Sequence, residues 1–262
     1  MKPNYKYIFG PVPSWRLGSS LGIDLLSQEE KICNFDCVYC QVGRTKRYTI
    51  NRKTYVSVDD VVAELATLPD MHIDYITFSG RGEPTLAANL GEAIKKIKSI
   101  RKEPTAVLTN SALMDKQEVR SELALADFVI AKLDACSKKL LEIVNRPAGS
   151  IDLKSIVEGI RIFKQHHQTK LALQMMFTES NKPFVDQFIS LVNYIHPEEV
   201  QINTPLRSCG VKPLSMQEIA RIRELFCSSC DNINVVTVYD ERAHKNVISM
   251  SDEQTLKRRG KI

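Results

Sequence analysis

The chain has 262 residues and a net charge of +5, and 43% of its residues are hydrophobic while 26% are charged. This composition is typical of one large globular domain with a substantial core, and it excludes a disordered or low-complexity chain. No apolar signal region and no run long enough to span a bilayer are present, so we expect a cytoplasmic protein with no membrane partner. The mild basic excess permits a phosphate-bearing partner without requiring one.

Short apolar runs alternate with amphipathic segments along most of the chain. The opening segment Phe9–Gly18 is rich in Pro and Gly and predicts an ordered loop. The predicted strands are Ser20–Leu26, Tyr75–Ser79, Thr105–Thr109, Phe128–Lys132, Leu171–Met176 and Val200–Ile202. The predicted helices are one beginning at Ser57–Asp60 and those near Leu90–Ile100, Gln117–Ala124, Leu153–Gln165, Phe184–Tyr194 and Met216–Phe226. Six such β/α units predict an α/β fold with a parallel sheet.

The C-terminal part follows the last β/α unit. Ile233–Tyr239 is apolar enough for a closing strand, and Lys257–Ile262 predicts a tail that is mobile at its tip. We interpret residues 1–262 as a single domain with a core of about 9–207 and a C-terminal extension of about 208–262.

Three cysteines, Cys33, Cys37 and Cys40, stand at C-x3-C-x2-C spacing directly after the first predicted strand. Three thiolates on one loop can hold a four-iron cluster and leave one iron open, and no fourth cysteine follows nearby to close it. The alternatives are a zinc site completed by a distant ligand, disulfides, or buried inert thiols. Seven cysteines without an export signal indicate a reducing cytoplasm, where metal or redox chemistry is more common than cross-linking.

The run Cys33–Cys40 resembles the signature of the radical SAM superfamily, whose open iron binds S-adenosylmethionine (SAM). The preceding Gly10–Ser14, Arg16–Gly18 and Ser20–Leu25 resemble a GPVPS-x-RLG–SLGIDL run of small radical SAM proteins, distantly related to wybutosine-type tRNA-modifying enzymes. Trp15 departs from that pattern. The resemblance implies a partial TIM-type (β/α)6 barrel with a short C-terminal extension, and it implies a [4Fe-4S] cluster and SAM as cofactors.

Further residues are assigned by the same resemblance. Tyr39 would shield the cluster and lie near the adenine of SAM, and the Gly80-Arg81-Gly82-Glu83 turn resembles the element that holds the SAM amino group. Polar residues at the ends of later strands would bind the rest of SAM, and these are Asn110, Lys132, Asp134 and Asn203. Ordinary loop capping would explain each of them equally well.

Two more groups of residues bear on function. Cys209, Cys227 and Cys230 are candidates for an auxiliary cluster, although isolated C-x2-C pairs are frequent. The loop leaving Cys40 carries five cations and Tyr48, and it predicts a substrate rim for phosphates and a stacked base. The five cations are Arg44, Lys46, Arg47, Arg52 and Lys53.

These patterns support three hypotheses. The first is a radical SAM enzyme that takes an electron from a flavodoxin-type or ferredoxin-type donor and modifies a tRNA nucleoside. The second is an activase that places a radical on a glycine of a partner protein. The third is a non-catalytic metal-binding nucleic-acid module. The sequence assigns no oligomeric state.

Overall fold

The computed structural model describes residues 5–240 and 247–261 as a mixed α/β fold built on an open, curled half-barrel sheet. Its strands are β1 (Ile8–Ser14), β2 (Gly18–Ile23), β5 (Tyr75–Phe78), β6 (Thr105–Thr109), β7 (Phe128–Lys132), β8 (Lys170–Met176), β9 (Glu199–Asn203) and β10 (Asn234–Thr237), while β3 (Ile32–Cys33) and β4 (Arg47–Tyr48) form a separate pair. The helices are α1 (Val58–Ala66), α2 (Leu90–Ile100), α3 (Gln117–Leu123), α4 (Lys138–Leu140), α5 (Leu153–His166), α6 (Val185–Ile195), α7 (Met216–Ser229) and α8 (Glu253–Lys257).

The strand order in the large sheet is β1-β2-β5-β6-β7-β8-β9-β10, and every pair from β2 onward is parallel. All six predicted β/α strands and the closing strand β10 are therefore confirmed, and so is the partial TIM-type barrel. Side-chain caps begin several of the helices. Ser57 accepts a hydrogen bond from the N–H of Asp60 at 3.1 Å before α1, and Ser215 and Glu218 form a reciprocal capping box before α7.

The prediction of a loop over Phe9–Gly18 is wrong, because Ile8–Ser14 forms an edge strand. It pairs antiparallel with β2, from Ile8 opposite Ile23 to Ser14 opposite Gly18. The register shifts between Phe9 and Val12, where Pro11 lies. A proline cannot donate to a ladder hydrogen bond, but an edge strand with an irregularity tolerates it. Composition alone suggested a loop, and the pairing with β2 decided otherwise.

The helices and the outer face of the sheet share one large apolar core. A smaller cluster on the face away from the helices contains Leu17, Ala106, Phe128, Ile130 and Ala172. Leu17 comes from the β1–β2 hairpin, so this hairpin plugs the inside of the half-barrel at the amino end of the parallel strands. Ligands in such folds bind at the opposite, carboxyl end.

Residues 257–261 of the tail are held against the rest of the fold, and Ile262, the tip for which mobility is predicted, lies outside the described residues. The side chain of Arg259 is completely buried and binds the carboxylate of Asp24 at 3.1 Å. It also donates to the carbonyl oxygens of Thr255 at 3.2 Å and Lys6 at 2.7 Å. A buried guanidinium with this many acceptors holds the tail against the first two strands.

Across residues 5–240 and 247–261, no helix combines the length and the apolar character that crossing a membrane requires.

Candidate active site

The three predicted cluster cysteines lie on one loop that begins at β3, beyond the carboxyl end of β2. The loop is folded by its own polar groups. Thr45 donates its N–H to the Asp36 carboxylate at 2.6 Å and its hydroxyl to the carbonyl of Phe35 at 2.6 Å. The N–H of Cys40 reaches the carbonyl of Cys37 at 3.0 Å, so the last two cysteines sit on one turn. All seven cysteines of the chain are free thiols.

Each of these sulfurs receives a hydrogen bond from a different part of the fold. The amide of Asn110 lies 3.8 Å from the Cys33 sulfur, and the amide of Asn145 lies 3.4 Å from that of Cys37. The buried ammonium of Lys31 lies 3.0 Å from the Cys40 sulfur. Donors of this kind stabilise negative charge on sulfur and tune an iron–sulfur centre, so the donor set suits a thiolate-bound cluster.

Two of these thiols, Cys33 and Cys37, differ from ordinary surface cysteines in their pKa. Burial raises the pKa of Cys33 far above its usual range and raises the pKa of Cys37 to about 11. Burial opposes the charge on Lys31, but the neighbouring Cys40 and Cys33 outweigh it and raise the pKa of the lysine. Metal binding replaces the protons on such thiols, which couples loading of the site to proton release.

The zinc alternative differs from a four-iron cluster in the number and spread of its ligands. Within the described parts of the chain, no three His, Cys, Asp or Glu side chains converge as ligands of a single metal ion do. Zinc needs four ligands around one point, whereas a four-iron cluster spreads three cysteines over three corners of a cube.

Glu83 organises the strand ends beside the cysteine loop. Its buried carboxylate accepts the N–H of Asn110 and the hydroxyl of Thr109, each at 2.6 Å, and the hydroxyl and N–H of Thr85 at 2.7 and 3.1 Å. Burial raises the pKa of Glu83, and these hydrogen bonds oppose that shift. With its oxygens occupied in this way, Glu83 anchors the ends of these strands, and its contact with SAM stays a prediction.

The two predicted glycines of that turn are required by close packing. Ile32 forms an isolated parallel bridge with Gly82, and a Cβ on Gly82 would overlap the carbonyl oxygen of Ile32. Gly80 has a φ of 149°, and a Cβ there would overlap the carboxylate of Asp24. Glycine is therefore needed where the cysteine loop lies against the end of β5.

Asp134 and Tyr39 form the second polar centre of the site. The Tyr39 hydroxyl donates to the Asp134 carboxylate, which also accepts the N–H of Met176 at 2.7 Å and the amide of Asn145 at 3.2 Å. The ammonium of Lys132 lies 3.4 Å from the same carboxylate and 4.8 Å from the centre of the Tyr39 ring. Burial raises the pKa of Tyr39 well above its usual value. Asp134 thus fixes the aromatic residue beside Cys40.

Asn110 and Asn203 both stand at carboxyl ends of strands, where the sequence placed them. Asn110 faces the cysteine loop, since its amide also donates to the side-chain oxygen of Asn34 at 2.5 Å. Asn203 is buried at the end of β9 and accepts the N–H of Thr204 at 2.9 Å.

Four residues of the site were missed by sequence analysis. Lys31 and Asn145 contact cluster cysteines, although they lie in segments with no local motif. The hydroxyl of Ser111 and the amide nitrogen of Asn34 are buried and lack a hydrogen-bond partner. Ser111 also has a left-handed backbone with φ 68°, directly after Asn110. Unpaired buried polar atoms beside the cysteine loop are places where a ligand would find hydrogen bonds.

The basic loop divides into two parts in the structure. Arg44, Lys46, Arg47 and Lys53 are exposed, as the prediction of a rim requires. Arg52 is not part of that rim, so its assignment is wrong. Its side chain is only 12% exposed and forms an ion pair with Glu122, and it donates to the carbonyls of Thr85 and Ala87 at 2.7 and 3.0 Å. A guanidinium with three acceptors holds the loop to the sheet.

A surface cleft of about 630 Å³ lies between the cysteine loop and the segment that follows α4. Tyr48, which is 46% exposed, lines one side. Lys138 and Arg146 also line the cleft, and they are paired with Glu142 at 3.9 Å and Asp36 at 3.8 Å. Glu142 and Asp152 also line the cleft. An aromatic ring beside two cations offers both stacking and charge to a bound nucleotide.

The structure does not bring the three auxiliary-cluster candidates together. Cys209 lies near the cysteine loop, because a Cβ on Gly210 would be 2.8 Å from the carbonyl of Val38. Cys227 and Cys230 are at the other end of α7, whose 14 residues span about 20 Å. No contact in the described parts of the chain joins Cys209 to Cys227 or Cys230, and the auxiliary cluster stays a prediction.

Comparison with family models and curated proteins places these features in context. A model described as the Radical SAM superfamily matches residues 31–188. The chain is 39% identical over 218 residues to a UPF0026 protein of Synechocystis, covering 83% of this chain and 81% of that protein. It is 37% identical over 261 residues to a protein of Brachyspira hyodysenteriae named GTPase Obg, but it spans only 38% of that protein's length. A probable GTP 3',8-cyclase of Saccharolobus islandicus is 23% identical over 194 residues, covering 74% of this chain and 60% of that protein.

Solved structures share the fold. SuiB of Streptococcus suis bound to S-adenosylmethionine superimposes with a TM-score of 0.62 at 14% identity, covering 79% of this chain and 48% of that chain. A radical SAM methyltransferase from Sphaerobacter thermophilus also gives 0.62, at 15% identity, covering 85% of this chain and 67% of that chain. At such identities the likeness shows the fold alone.

Proposed function

Because this chain belongs to the radical SAM superfamily, we propose that it is a radical SAM enzyme that modifies a nucleoside of tRNA. The observation that carries the choice of substrate is the position of the rim. Three exposed cations, Arg44, Lys46 and Arg47, follow the last cluster cysteine, and the exposed ring of Tyr48 comes directly after them.

The cofactors of this superfamily are a [4Fe-4S] cluster and SAM. When bound, they supply one-electron cleavage of a carbon–sulfur bond of SAM, which yields a 5'-deoxyadenosyl radical that removes a hydrogen atom from the substrate. We propose a flavodoxin-type or ferredoxin-type protein as the electron donor, and the cytoplasm as the compartment because all seven thiols are free.

The residues of this chain would hold and orient these groups. Cys33, Cys37 and Cys40 would bind three irons, with Asn110, Asn145 and Lys31 donating to their sulfurs as they do to the thiols. These three donors fix the positions of the sulfurs and stabilise their negative charge.

SAM would be held by groups that the fold leaves available beside the cysteine loop. The backbone of Gly80–Gly82 lies at the end of β5, and the Ser111 hydroxyl lies buried and unpaired at the end of β6. Tyr39, whose hydroxyl donates to Asp134 and whose ring centre lies 4.8 Å from the Lys132 ammonium, would shield the cluster from water.

The proposed RNA contact follows from charge and shape. The rim cations would attract phosphates, and the 630 Å³ cleft beside Tyr48 would accept a flanking nucleotide against Lys138 and Arg146. The activase alternative needs a protein-docking surface, whereas an exposed basic loop next to an aromatic ring favours RNA. The non-catalytic module conflicts with membership of an enzyme superfamily.

The experiment that tests the reaction is anaerobic reconstitution with iron and sulfide, followed by addition of SAM and dithionite. Formation of 5'-deoxyadenosine and methionine is expected, and it should be lost when Cys37 is replaced by Ser. A reconstituted protein that holds its cluster but leaves SAM intact would contradict the proposed reaction. Comparison of total tRNA nucleosides from cells with and without the protein should then reveal a missing modification.

The substrate class is tested by a triple variant, Arg44→Gln, Lys46→Gln and Arg47→Gln. Three lost phosphate contacts should reduce the salt dependence of RNA binding, log K against log salt, by a slope of about 2. The matched control replaces three exposed lysines on the far side of the fold, Lys95, Lys96 and Lys102, by Gln. Equal RNA affinity and equal slopes in both triple variants would reject RNA and favour a protein substrate.

A further inference from the structure

Three cations that the proposed reaction does not use come from segments that the fold brings toward one another, and of these Arg16 and Lys261 are partly buried while Arg207 is exposed. Arg16 comes from the β1–β2 hairpin, Arg207 follows β9, and Lys261 belongs to the C-terminal tail. Their charges act on one another. Burial and the charge of Arg207 lower the pKa of Arg16 to about 10, and burial together with Arg207 and Arg16 lowers the pKa of Lys261 to about 7.

The tail brings Lys261 to this position through described contacts at both ends. Gly10 of β1 accepts the N–H of Met250 at 3.0 Å and donates its own N–H to the Ser251 hydroxyl at 2.8 Å. Farther along, Arg207 donates to the carbonyl of Gly260, and a Cβ on Gly260 would overlap the backbone of Gln41. The tail therefore reaches from the edge strand β1 to the loop after β9, and it touches the residue that follows Cys40.

The acids that act on these cations are already occupied. The charge of Asp24 acts to raise the pKa of Lys261, but the Asp24 carboxylate is paired with Arg259 at 3.1 Å. The charge of Glu199 acts to raise the pKa of Arg16, but the Glu199 carboxylate is paired with Lys170 at 3.1 Å. Glu199 also accepts the amides of Gln201 at 2.7 Å and Asn234 at 3.1 Å.

An unbalanced positive charge in a partly buried site is costly. A charge that is removed from water without a counter-charge is destabilising, and an unmade hydrogen bond adds to this. Arg16 shows both features, since its Nε is buried and has no hydrogen-bond partner. A bound anion would remove the repulsion and satisfy that donor at the same time.

We propose that Arg16, Arg207 and Lys261 form an anion-binding site inside the half-barrel, which holds a phosphate group of the substrate. Two guanidinium groups supply planar donors that match phosphate oxygens, and the ammonium of Lys261 adds a point charge. Gly260 packs against Gln41, so the Lys261 end of the site lies beside the cysteine loop, while Arg16 comes from the hairpin at the amino end of the strands. Only the identification of the anion as substrate phosphate rests on the proposed function.

The test uses inorganic pyrophosphate as the probe, with binding measured by titration calorimetry at pH 7 and low ionic strength. Each lost charge-assisted contact should weaken binding by about 10-fold or more in Lys261→Met and in Arg16→Gln. Lys257→Met is the matched control, because Lys257 lies on the same tail but is exposed and paired with Glu253 at 2.6 Å. It should bind pyrophosphate as the unaltered protein does.

Thermal unfolding separates a binding role from a structural one. Removal of a repelling charge should leave the Tm of the anion-free Lys261→Met and Arg16→Gln proteins unchanged or higher. Pyrophosphate should then raise the Tm of the unaltered protein and of Lys257→Met, but not that of the two variants. Equal pyrophosphate affinity in all four proteins, or no binding by the unaltered protein, would overturn the proposal.

Competition identifies the source of the phosphate. Displacement of pyrophosphate by tRNA supports a phosphodiester of RNA as the natural ligand. Displacement by a nucleoside triphosphate alone upholds the anion site and overturns the choice of tRNA as substrate.

The anion site and the proposed reaction can fail independently. An unaltered protein that cleaves SAM but binds no pyrophosphate would overturn the anion site and leave the proposed reaction intact. A protein that binds pyrophosphate but never cleaves SAM would support the anion site and contradict the proposed reaction.

Discussion

Replacement of Arg52 by Gln tests whether the basic loop is one surface or two. The loop would be a single substrate-binding surface if all five cations contacted the substrate. In the structure Arg52 is instead paired with Glu122 and bonded to the carbonyls of Thr85 and Ala87 at 2.7 and 3.0 Å. The variant should therefore lose stability and keep its affinity for RNA.

The magnitude follows from these contacts. Glu122 is 21% exposed and Arg52 is 12% exposed, so the pair is partly desolvated, and its loss leaves one carboxylate and two carbonyls without their donor. Hydrogen bonds to charged groups contribute about 1.5–3 kcal/mol, and partial solvation of Glu122 reduces the cost. We expect a loss of about 3 kcal/mol in the free energy of unfolding. For a chain of 262 residues this corresponds to a Tm lower by about 5 °C.

The assay is thermal and urea unfolding of the metal-free protein under reducing conditions, with Arg47→Gln as the matched control. Arg47 carries the same charge on the same loop but is exposed, so its replacement should change stability by less than about 0.5 kcal/mol. Identical unfolding of the two variants, or a weakened RNA affinity in Arg52→Gln equal to that in Arg47→Gln, would refute the division of the loop.

Two further substitutions and one pH titration test these sites. Gly82→Ala should displace β3 and lower the amount of iron bound after reconstitution. The control is Gly149→Ala, whose Cβ would meet nothing within 4 Å. It should keep its iron and lose about 1 kcal/mol of stability, because Gly149 has a left-handed backbone. Glu83→Gln should cost about 2 kcal/mol in urea unfolding, because an amide cannot accept from both Asn110 and Thr109 as the carboxylate does; the exposed Glu92→Gln should cost almost nothing. Sulfate should bind more tightly as the pH falls from about 8 to about 6, because Lys261 gains its charge in this range. Burial and the charges of Arg207, Arg16 and Arg259 lower the pKa of Lys261 to about 7, although Asp24 acts in the opposite direction. A pH-independent affinity, or the same pH dependence in Lys261→Met, would contradict this.

Local patterns explain why much of the fold was predictable. The six strands of the β/α units and the helices from Leu90 onward carry their own periodicity, and caps such as Ser57 lie within three residues of the groups they bind. The cysteine loop was predictable for the same reason, because three ligands within eight residues form a pattern without the rest of the chain.

Contacts between distant segments account for the errors. Arg52 meets Glu122 across 70 residues, and Arg259 meets Asp24 across 235, so neither pairing leaves a trace in its neighbours along the chain. The donors Lys31 and Asn145 became recognisable only when their sulfur partners were in place. Cys209 and Cys227 look close in the sequence, but the rigid helix α7 separates them.

The sequence by itself determined the β/α order and the loop of three thiols, because period, capping and ligand spacing are properties of short stretches. Tertiary structure alone decided which charges are neutralised. Arg52, Arg16 and Lys261 are all cations, yet the first is paired while the other two act on each other and on Arg207 within the half-barrel. The reason is physical, since the free energy of a charge depends on what surrounds it after folding.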